Sequence, residues 1–552
     1  MKNKSIFIYS IIGLFFIMGA VGVFSTRVDL TQDQRYTLTN STKEVLKSVQ
    51  KPLMVEVYLD GDFPANFKQL QSETKFMLEE FKKINPKVDF KFIDPIKSKV
   101  SKDSLAAMGL EASMLASRTD GKVSQIELYP YAVLKYQDLG VSIPLIVQQN
   151  GLDQDQQLYK SVEGLEYNLI SNIKDITVNS RKNVGILINQ DELRPEEFRS
   201  FTKYLLATYK TEPIIPVEND ELSLKDFPKL KQMDALLIAK PRKAFTDKEK
   251  VILDQYIMNG GKTLWMIDAV NAEMDSLYQA KKIMAFPYET NLNDFFFNYG
   301  IRINTGLVKD MQKSALLRIV SGEVAGNPQY SSFLWPYFPL GISDKNNPIT
   351  KNINPVKFEF PTSIDILKRP GIKPTVLFES SQNTLINSVP NYIQLSEIVK
   401  EDSISPFEQK TKQQNLAVLL EGTFQSAYAN RSEKNDFPNF KSENNNGKMI
   451  VIADGDIGRN QILKGQALPL GVDLLTQEQY GNGEFLQNAL SYLLDDTNIM
   501  ELKNREIAVR LLDRQTIEEN KSYWQWFNML LPLFIIGIFA GLFYFIRKRK
   551  FE

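Results

Sequence analysis

The stretch DQYIMNGGKTLWMID, residues 254–268, decides the fold class. A helical run ends on Gly260-Gly261, an apolar strand follows, and the strand closes on Asp268. A glycine pair is a common stop after a helix, because the residue past the last turn often takes left-handed backbone. In open α/β sheets ligands gather at the carboxyl ends of the strands, which makes Asp268 a candidate site residue. An Asp just past a strand also commonly bonds the following backbone turn, and that structural role is the preferred one. The GGK triplet is not a phosphate loop, since it lacks a spaced third glycine and precedes a strand.

The same grammar extends on both sides of this stretch. VGILIN (184–189), a helix around 195–208, DALLIAK (234–240), a helix over about 247–258 and KTLWMID (262–268) give three apolar strands alternating with helices. That alternation predicts a doubly wound sheet. LNDFFFNYGIRIN (292–304) follows as helix, glycine stop and strand. From about 305 to 447 the pattern weakens into short strands, among them VKFEFP (356–361), TVLFES (375–380) and NLAVLLEG (415–422), and NRSEKNDFPNFKSENNNGK (430–448) reads as a mobile loop. MIVIADGDIGRNQ (449–461) returns as an apolar strand with acids at its end, and GEFLQNALSYLLDD (483–496) as a helix.

Upstream, TNSTKEVLKSV reads as a capped short helix, followed by a strand over 53–59, a helix with apolar spacing from Phe67 to Ile84, and the strand VDFKFIDP (88–95). This is one βαβ unit, for which parallel pairing is expected. Two further strands are predicted near 126–136 and 141–147, with one helix over SVEGLEYNLISNIKDIT (161–177).

The two ends carry apolar runs. Ile6 to Phe24 contains no charge, and its 19 residues span about 28 Å, enough to cross a bilayer core. A cleaved signal peptide is the alternative, but GVFSTR is a poor small-x-small site, so an uncleaved anchor is preferred. A second run extends from Trp526 to Ile546, with Trp524 and Trp526 placed for an interfacial belt and Arg547, Lys548, Arg549 and Lys550 directly after it. The positive-inside rule puts both basic ends in the cytoplasm. The expected organisation is an anchor at 1–27, an N-terminal α/β domain at 28–180 with a thioredoxin-like fold as one reading, a second α/β domain with insertions at 181–500, a membrane-proximal segment at 501–525, a transmembrane helix at 526–546 and a basic tail at 547–552. The expected location is the inner membrane, two-pass, with the bulk of the chain in the periplasm.

Composition narrows the chemistry. Among 552 residues, 66 Lys+Arg balance 66 Asp+Glu, so no basic excess marks a nucleic-acid partner. Neither Cys nor His occurs, which removes thiol and Ser-His-Asp catalysis and imidazole metal sites. Carboxylate, Lys or Tyr chemistry remains, as does a carboxylate-held divalent ion. Asp454, Asp456 and Asn460 in ADGDIGRN could hold a hard cation through oxygen ligands, although EF-hand spacing is missing and a glycine turn with solvated acids is preferred. Trp335, Tyr337 and Phe338 in SSFLWPYFPLG form an aromatic cluster, with core packing preferred over a partner surface. The expectation is no catalytic residue, no cofactor and no metal.

DLTQDQRYTLTNSTKEVL behind the first anchor, EGLEYNLISNIK, DQYIMNGGKTLWMID and VRLLD before the second anchor resemble the gliding-motility-associated ABC-transporter auxiliary proteins of the Bacteroidetes, the GldG family. The resemblance covers nearly the whole chain. It implies an auxiliary subunit working with a separate ATPase and a separate permease, in contact with membrane lipid and envelope proteins. It also implies a glutamine-amidotransferase-like central domain of the kind found in intraflagellar-transport proteins. The active amidotransferases need Cys and His, so no catalytic residue carries over. A free-standing envelope scaffold and a hydrolase using Asp268, or Asp454 with Asp456, are the alternatives.

Overall fold

The structure is a computed structural model that describes residues 37–504 and 520–551, except positions 62, 99, 120–121, 148, 150, 178–180, 219, 325, 345 and 399–411. The expected anchor from Ile6 to Phe24 lies outside the described residues, as does most of the membrane-proximal segment. The described residues up to 504 form one compact unit and 520–551 another.

In the first unit, α1 (Asn40–Ser48) starts where the Thr39 hydroxyl accepts from the Thr42 backbone N–H. The predicted βαβ unit forms as β1 (Leu53–Val57), α2 (Ala65–Ile84) and β2 (Val88–Phe92), with β1 and β2 parallel from Leu53↔Val88 to Val57↔Phe92. Strands β3 (Tyr131–Tyr136) and β4 (Leu139–Pro144) then extend the sheet antiparallel to the order β2-β1-β3-β4. The single helix expected over 161–177 is two helices, α3 (Gln154–Glu163) and α4 (Leu165–Thr177), broken at Gly164. A capping box at Asp153 starts α3 earlier than the apolar pattern suggests.

The second sheet begins with β5 (Asn183–Leu187), α5 (Arg199–Thr208), β6 (Lys210–Ile214), β7 (Ala235–Ala239), α6 (Asp247–Met258) and β8 (Lys262–Met266). It is completed by β9 (Ile372–Glu379), β10 (Asn415–Gln425) and β11 (Glu443–Ile452), and α7 (Asn482–Leu494) follows. The order is β9-β10-β11-β8-β7-β5-β6. The five strands from β11 to β6 are parallel, while β10 runs antiparallel to both its neighbours, β9 and β11, so the sheet is mixed.

Alternation along β8 shows why its sequence is continuously apolar. Leu264 and Met266 face one core with Phe201 and Leu205 of α5 and Phe485, Leu486 and Leu490 of α7. Trp265 and Ile267 face the other core with Ile252, Leu253 and Tyr256 of α6. A strand covered by helices on both faces has no solvent side to make polar. The glycine pair has two separate reasons: Gly260 takes φ +100°, and a Cβ on Gly261 would meet the Tyr256 ring at 2.3 Å.

Two further expectations are corrected. The polar stretch 430–448 is not all loop: β11 begins at Glu443, where Asn444 pairs with Phe424 and its side-chain amide donates to the Ile257 carbonyl at 2.8 Å. VKFEFP forms no strand. Val356, Phe358 and Phe360 are buried in alternation, but only Lys357 makes a bridge, to Leu340, and Phe360 turns to φ +48°. Several small sheets complete the unit, including the long hairpin Ser314–Val324 with Asn327–Pro339. That hairpin carries Trp335, Tyr337 and Phe338 into a core with Phe360, so the aromatic cluster is packed internally.

In the second unit, α8 (Lys521–Phe551) contains the segment Lys521–Arg549, which is long and apolar enough to cross a membrane. Its large apolar side chains, from Trp526 to Ile546, are exposed all around, as suits a helix whose solvent is lipid. Among the described residues it is the one such helix.

Candidate functional site

Three adjacent parallel strands each deliver charge at their carboxyl end. Lys240 follows β7, Asp268 lies two residues past β8, and Asp454 and Asp456 follow β11. Here Asp268 and the ADGDIGRN acids, separate in sequence, come together: one oxygen from each of Asp268, Asp454 and Asp456 lies within 4.8 Å of the others. That spacing fits a divalent ion. Two of the three acids are already paired with an ammonium. Lys240 Nζ lies 2.6 Å from Asp456 Oδ2, 3.1 Å from Asp268 Oδ2 and 2.8 Å from Glu273 Oε1. An ion here would compete with Lys240 for Asp268 and Asp456, while Asp454 makes no ion pair with Lys240 and Asp456 Oδ1 is buried without a hydrogen-bond partner.

The local backbone is shaped for this contact. Lys240 takes φ +57°, a left-handed conformation that is costly for a residue with a Cβ, and its N–H donates to the Met266 carbonyl at 2.8 Å. A Cβ at Gly455 would lie 2.6 Å from Lys240 Cγ and 3.0 Å from Asp268 Cγ, so only glycine lets the β11 turn close over the pair. The Gly455 N–H donates to Asp268 Oδ1. Asp454 accepts from the backbone N–H groups of Asp456 at 2.7 Å and Glu359 at 2.8 Å. Arg459 closes the outer side, reaching Asp275 at 2.8 Å and Glu197 and Glu273 at 3.4 Å each.

Burial dominates the electrostatics. Lys240 and Asp454 are 0% exposed, and Asp268 and Asp456 only 5% and 6%. Burial pushes the Asp268 carboxyl up to about 6, with Lys240 pulling it down and Asp456 pushing it up. Asp454 is raised well above the usual range by burial and by Asp268 and Asp456. Burial lowers the Lys240 ammonium, yet the carboxylates Asp268, Asp456 and Glu273 outweigh it and hold it charged. Asn460 does not join the acids. Its Oδ1 accepts from the Ser200 N–H at 2.9 Å and its Nδ2 donates to the Glu196 carbonyl at 3.0 Å, tying the loop to the start of α5.

Sequence inspection missed Lys240, Glu273 and Arg459. The signal available for Lys240 was a lysine closing the apolar strand DALLIAK, as Asp268 closes KTLWMID. It also missed Asp254, the first residue of the deciding stretch. That carboxylate is fully buried in α6 and accepts from Tyr299 Oη at 2.9 Å, Ser426 Oγ at 2.6 Å and the Ala427 N–H at 2.9 Å.

Fold and site together define an α/β protein whose strand-end charges neutralise one another behind a closed turn, on a chain that also carries a membrane-length apolar helix. The chain belongs to the ABC-type uncharacterized transport system family, whose model matches residues 181–489. A second model, a domain of unknown function, matches residues 32–135. An uncharacterized protein of Borreliella burgdorferi is 22% identical over 548 residues, covering 97% of this chain and 96% of the relative. Among solved structures, the mmIFT52 N-terminal domain is similar at a TM-score of 0.30 and 14% identity, over 57% of this chain and 99% of its own. Family membership implies a transport-associated auxiliary role and association with transporter components, and with α8 it points to membrane association.

Proposed function

We propose that this chain is a non-catalytic auxiliary subunit of an ABC transport complex, working with an ATPase and a permease supplied as separate chains. The carrying observation is the closure of Lys240 onto Asp268 and Asp456 at the sheet edge where α/β enzymes bind substrate. A general acid or base must reach its substrate, whereas these groups reach one another. Both α8 and the run Ile6–Phe24 anchor the chain in the inner membrane, with the bulk of it in the periplasm. Gliding motility and a Bacteroidetes setting follow from the resemblance of DLTQDQRYTL and its companion segments. The order β2-β1-β3-β4 supports a thioredoxin-like N-terminal domain, and helices on both faces of the parallel strands support an amidotransferase-like second domain.

The test is a detergent pull-down of the tagged full-length protein from its own membranes, with mass spectrometry of its partners. Co-purification of a multi-span permease and a Walker-motif ATPase is expected. Recovery of envelope proteins without either one would replace the subunit with a free-standing scaffold. The spacing of the three Asp oxygens favours a second reading, a carboxylate- or metal-dependent hydrolase. That reading requires Asp268→Asn to abolish function in a protein that still folds.

A further inference from the structure

Between the four-stranded domain and the second sheet lies a cleft of about 520 Å³, with walls from both domains. Helices α3 and α4 supply Lys160, Glu163 and Tyr167, and the other wall supplies Lys351, Glu484 and Lys503. With Glu111 the lining holds three lysines and three glutamates, but their pairing is uneven. Glu163 takes Lys160 Nζ at 2.7 Å and also lies 3.2 Å from Lys351 Nζ, so one carboxylate serves two ammoniums. The Lys351 side chain is 6% exposed, and its Nζ is buried without a hydrogen-bond partner.

Lys503 has no carboxylate within ion-pairing distance among the described residues. Its Nζ donates to Asn488 Oδ1 at 2.7 Å and lies 4.7 Å from the Tyr167 ring centre. Burial draws this ammonium down to about 8, against an opposing pull from Glu484. The Glu484 carboxyl is itself raised by burial and accepts from the Asn354 N–H at 3.3 Å. Lys503 is half-buried, and a bound anion would supply the counter-charge that no described carboxylate supplies at ion-pairing distance. Tyr131 and Tyr167 give the cleft flat apolar walls, and its volume is that of a small-molecule site at a domain boundary.

We propose that this interdomain cleft binds a small organic anion, a carboxylate or a phosphate ester, whose acidic group pairs with Lys503 and whose body lies against Tyr131 and Tyr167. Such a ligand would touch both domains at once, so its binding would be felt as a change in the stability of the whole unit. The proposal does not depend on the transporter reading.

The test uses the full-length protein in detergent, titrated with benzoate and separately with inorganic phosphate at constant ionic strength, and read by thermal unfolding and calorimetry. Saturable stabilisation by at least one probe is expected, and which probe binds more tightly separates a carboxylate site from a phosphate site. Lys503→Met keeps the aliphatic stem and should weaken binding by about tenfold or more, the scale of one lost charge pair. Lys434→Ala, on the 3₁₀ turn Ser432–Asp436 that does not line the cleft, should change nothing. Glu484→Gln keeps Lys503 and removes the carboxylate that offsets it, so it should bind the probes more tightly. No saturable response to either probe would overturn the proposal. So would equal binding by Lys503→Met, or unchanged or weaker binding by Glu484→Gln if the first variant does not fold.

Discussion

Replacing Lys240 by methionine tests the reading of the strand-end cluster as a closed ion network. The substitution keeps the length of the side chain and removes the charge. In the wild type Nζ is within 3.1 Å of Asp268, Asp456 and Glu273, at 0% exposure. Breaking a buried pair leaves uncompensated charge and costs about 3–5 kcal/mol. At roughly 2–4 °C per kcal/mol for a sizeable domain, the unfolding midpoint should fall by on the order of 10 °C at pH 8. The deficit should also depend on pH. The native Asp268 carboxyl, raised to about 6, binds its proton more tightly than in the unfolded chain, so its contribution to stability falls as pH rises from its ordinary value of 3.8 through 6. Removing Lys240 raises the native carboxyls further, which carries this loss to higher pH. Thermal unfolding of the full-length variant at pH 5 and pH 8 should therefore show a smaller deficit at pH 5. Adding Asp456→Asn to Lys240→Met should restore part of the stability at pH 8. A variant within about 1 kcal/mol of wild type at pH 8, or a deficit of equal size at both pH values, would refute the reasoning.

Four further outcomes are expected. Neither a chelator nor millimolar Mg²⁺ or Ca²⁺ should shift wild-type unfolding, because the Lys240 ammonium already pairs with Asp268 and Asp456; a shift of several degrees would place an ion there. Gly261→Ala should destabilise by about 1–3 kcal/mol through the clash with the Tyr256 ring, and Tyr256→Leu in the same chain should recover part of it; additive losses in denaturant unfolding would dismiss the clash. Asp254→Ala should cost about 3 kcal/mol, since Tyr299, Ser426 and Ala427 lose a buried acceptor; a loss under about 1 kcal/mol would show that these donors find other partners. Deleting 521–552 should leave the protein in the membrane fraction and deleting 1–27 as well should release it; release by the first deletion alone would rule out an N-terminal anchor.

The sequence by itself determined the elements that local physics controls. Continuous apolar runs at 184–189, 234–240 and 262–268 become strands because both faces of that sheet are covered, so no solvent-side alternation is needed. The apolar run before Arg547-Lys548-Arg549 could only be a helix exposed to lipid or a core helix, and its exposed side chains match the first. Composition alone excluded imidazole and thiol chemistry. Other features needed the tertiary structure because they join distant residues. The polar start of β11 is a strand because Asn444 finds a backbone carbonyl at Ile257, a contact across 187 positions that no window of sequence contains. VKFEFP alternates like a strand yet forms none: Val356 and Phe358 pack in the core under α7, and the backbone then turns at Phe360 into the core of the hairpin. Asp268 read as an acid bonding the backbone turn after its strand, Asp454 and Asp456 as solvated acids at a glycine turn, and Lys240 as the end of a strand. Strand order placed β7, β8 and β11 side by side, and the glycine at 455 let their ends close. Whether those acids face water, a metal or a lysine is a question of which neighbour fills the space, and only the folded sheet supplies that neighbour.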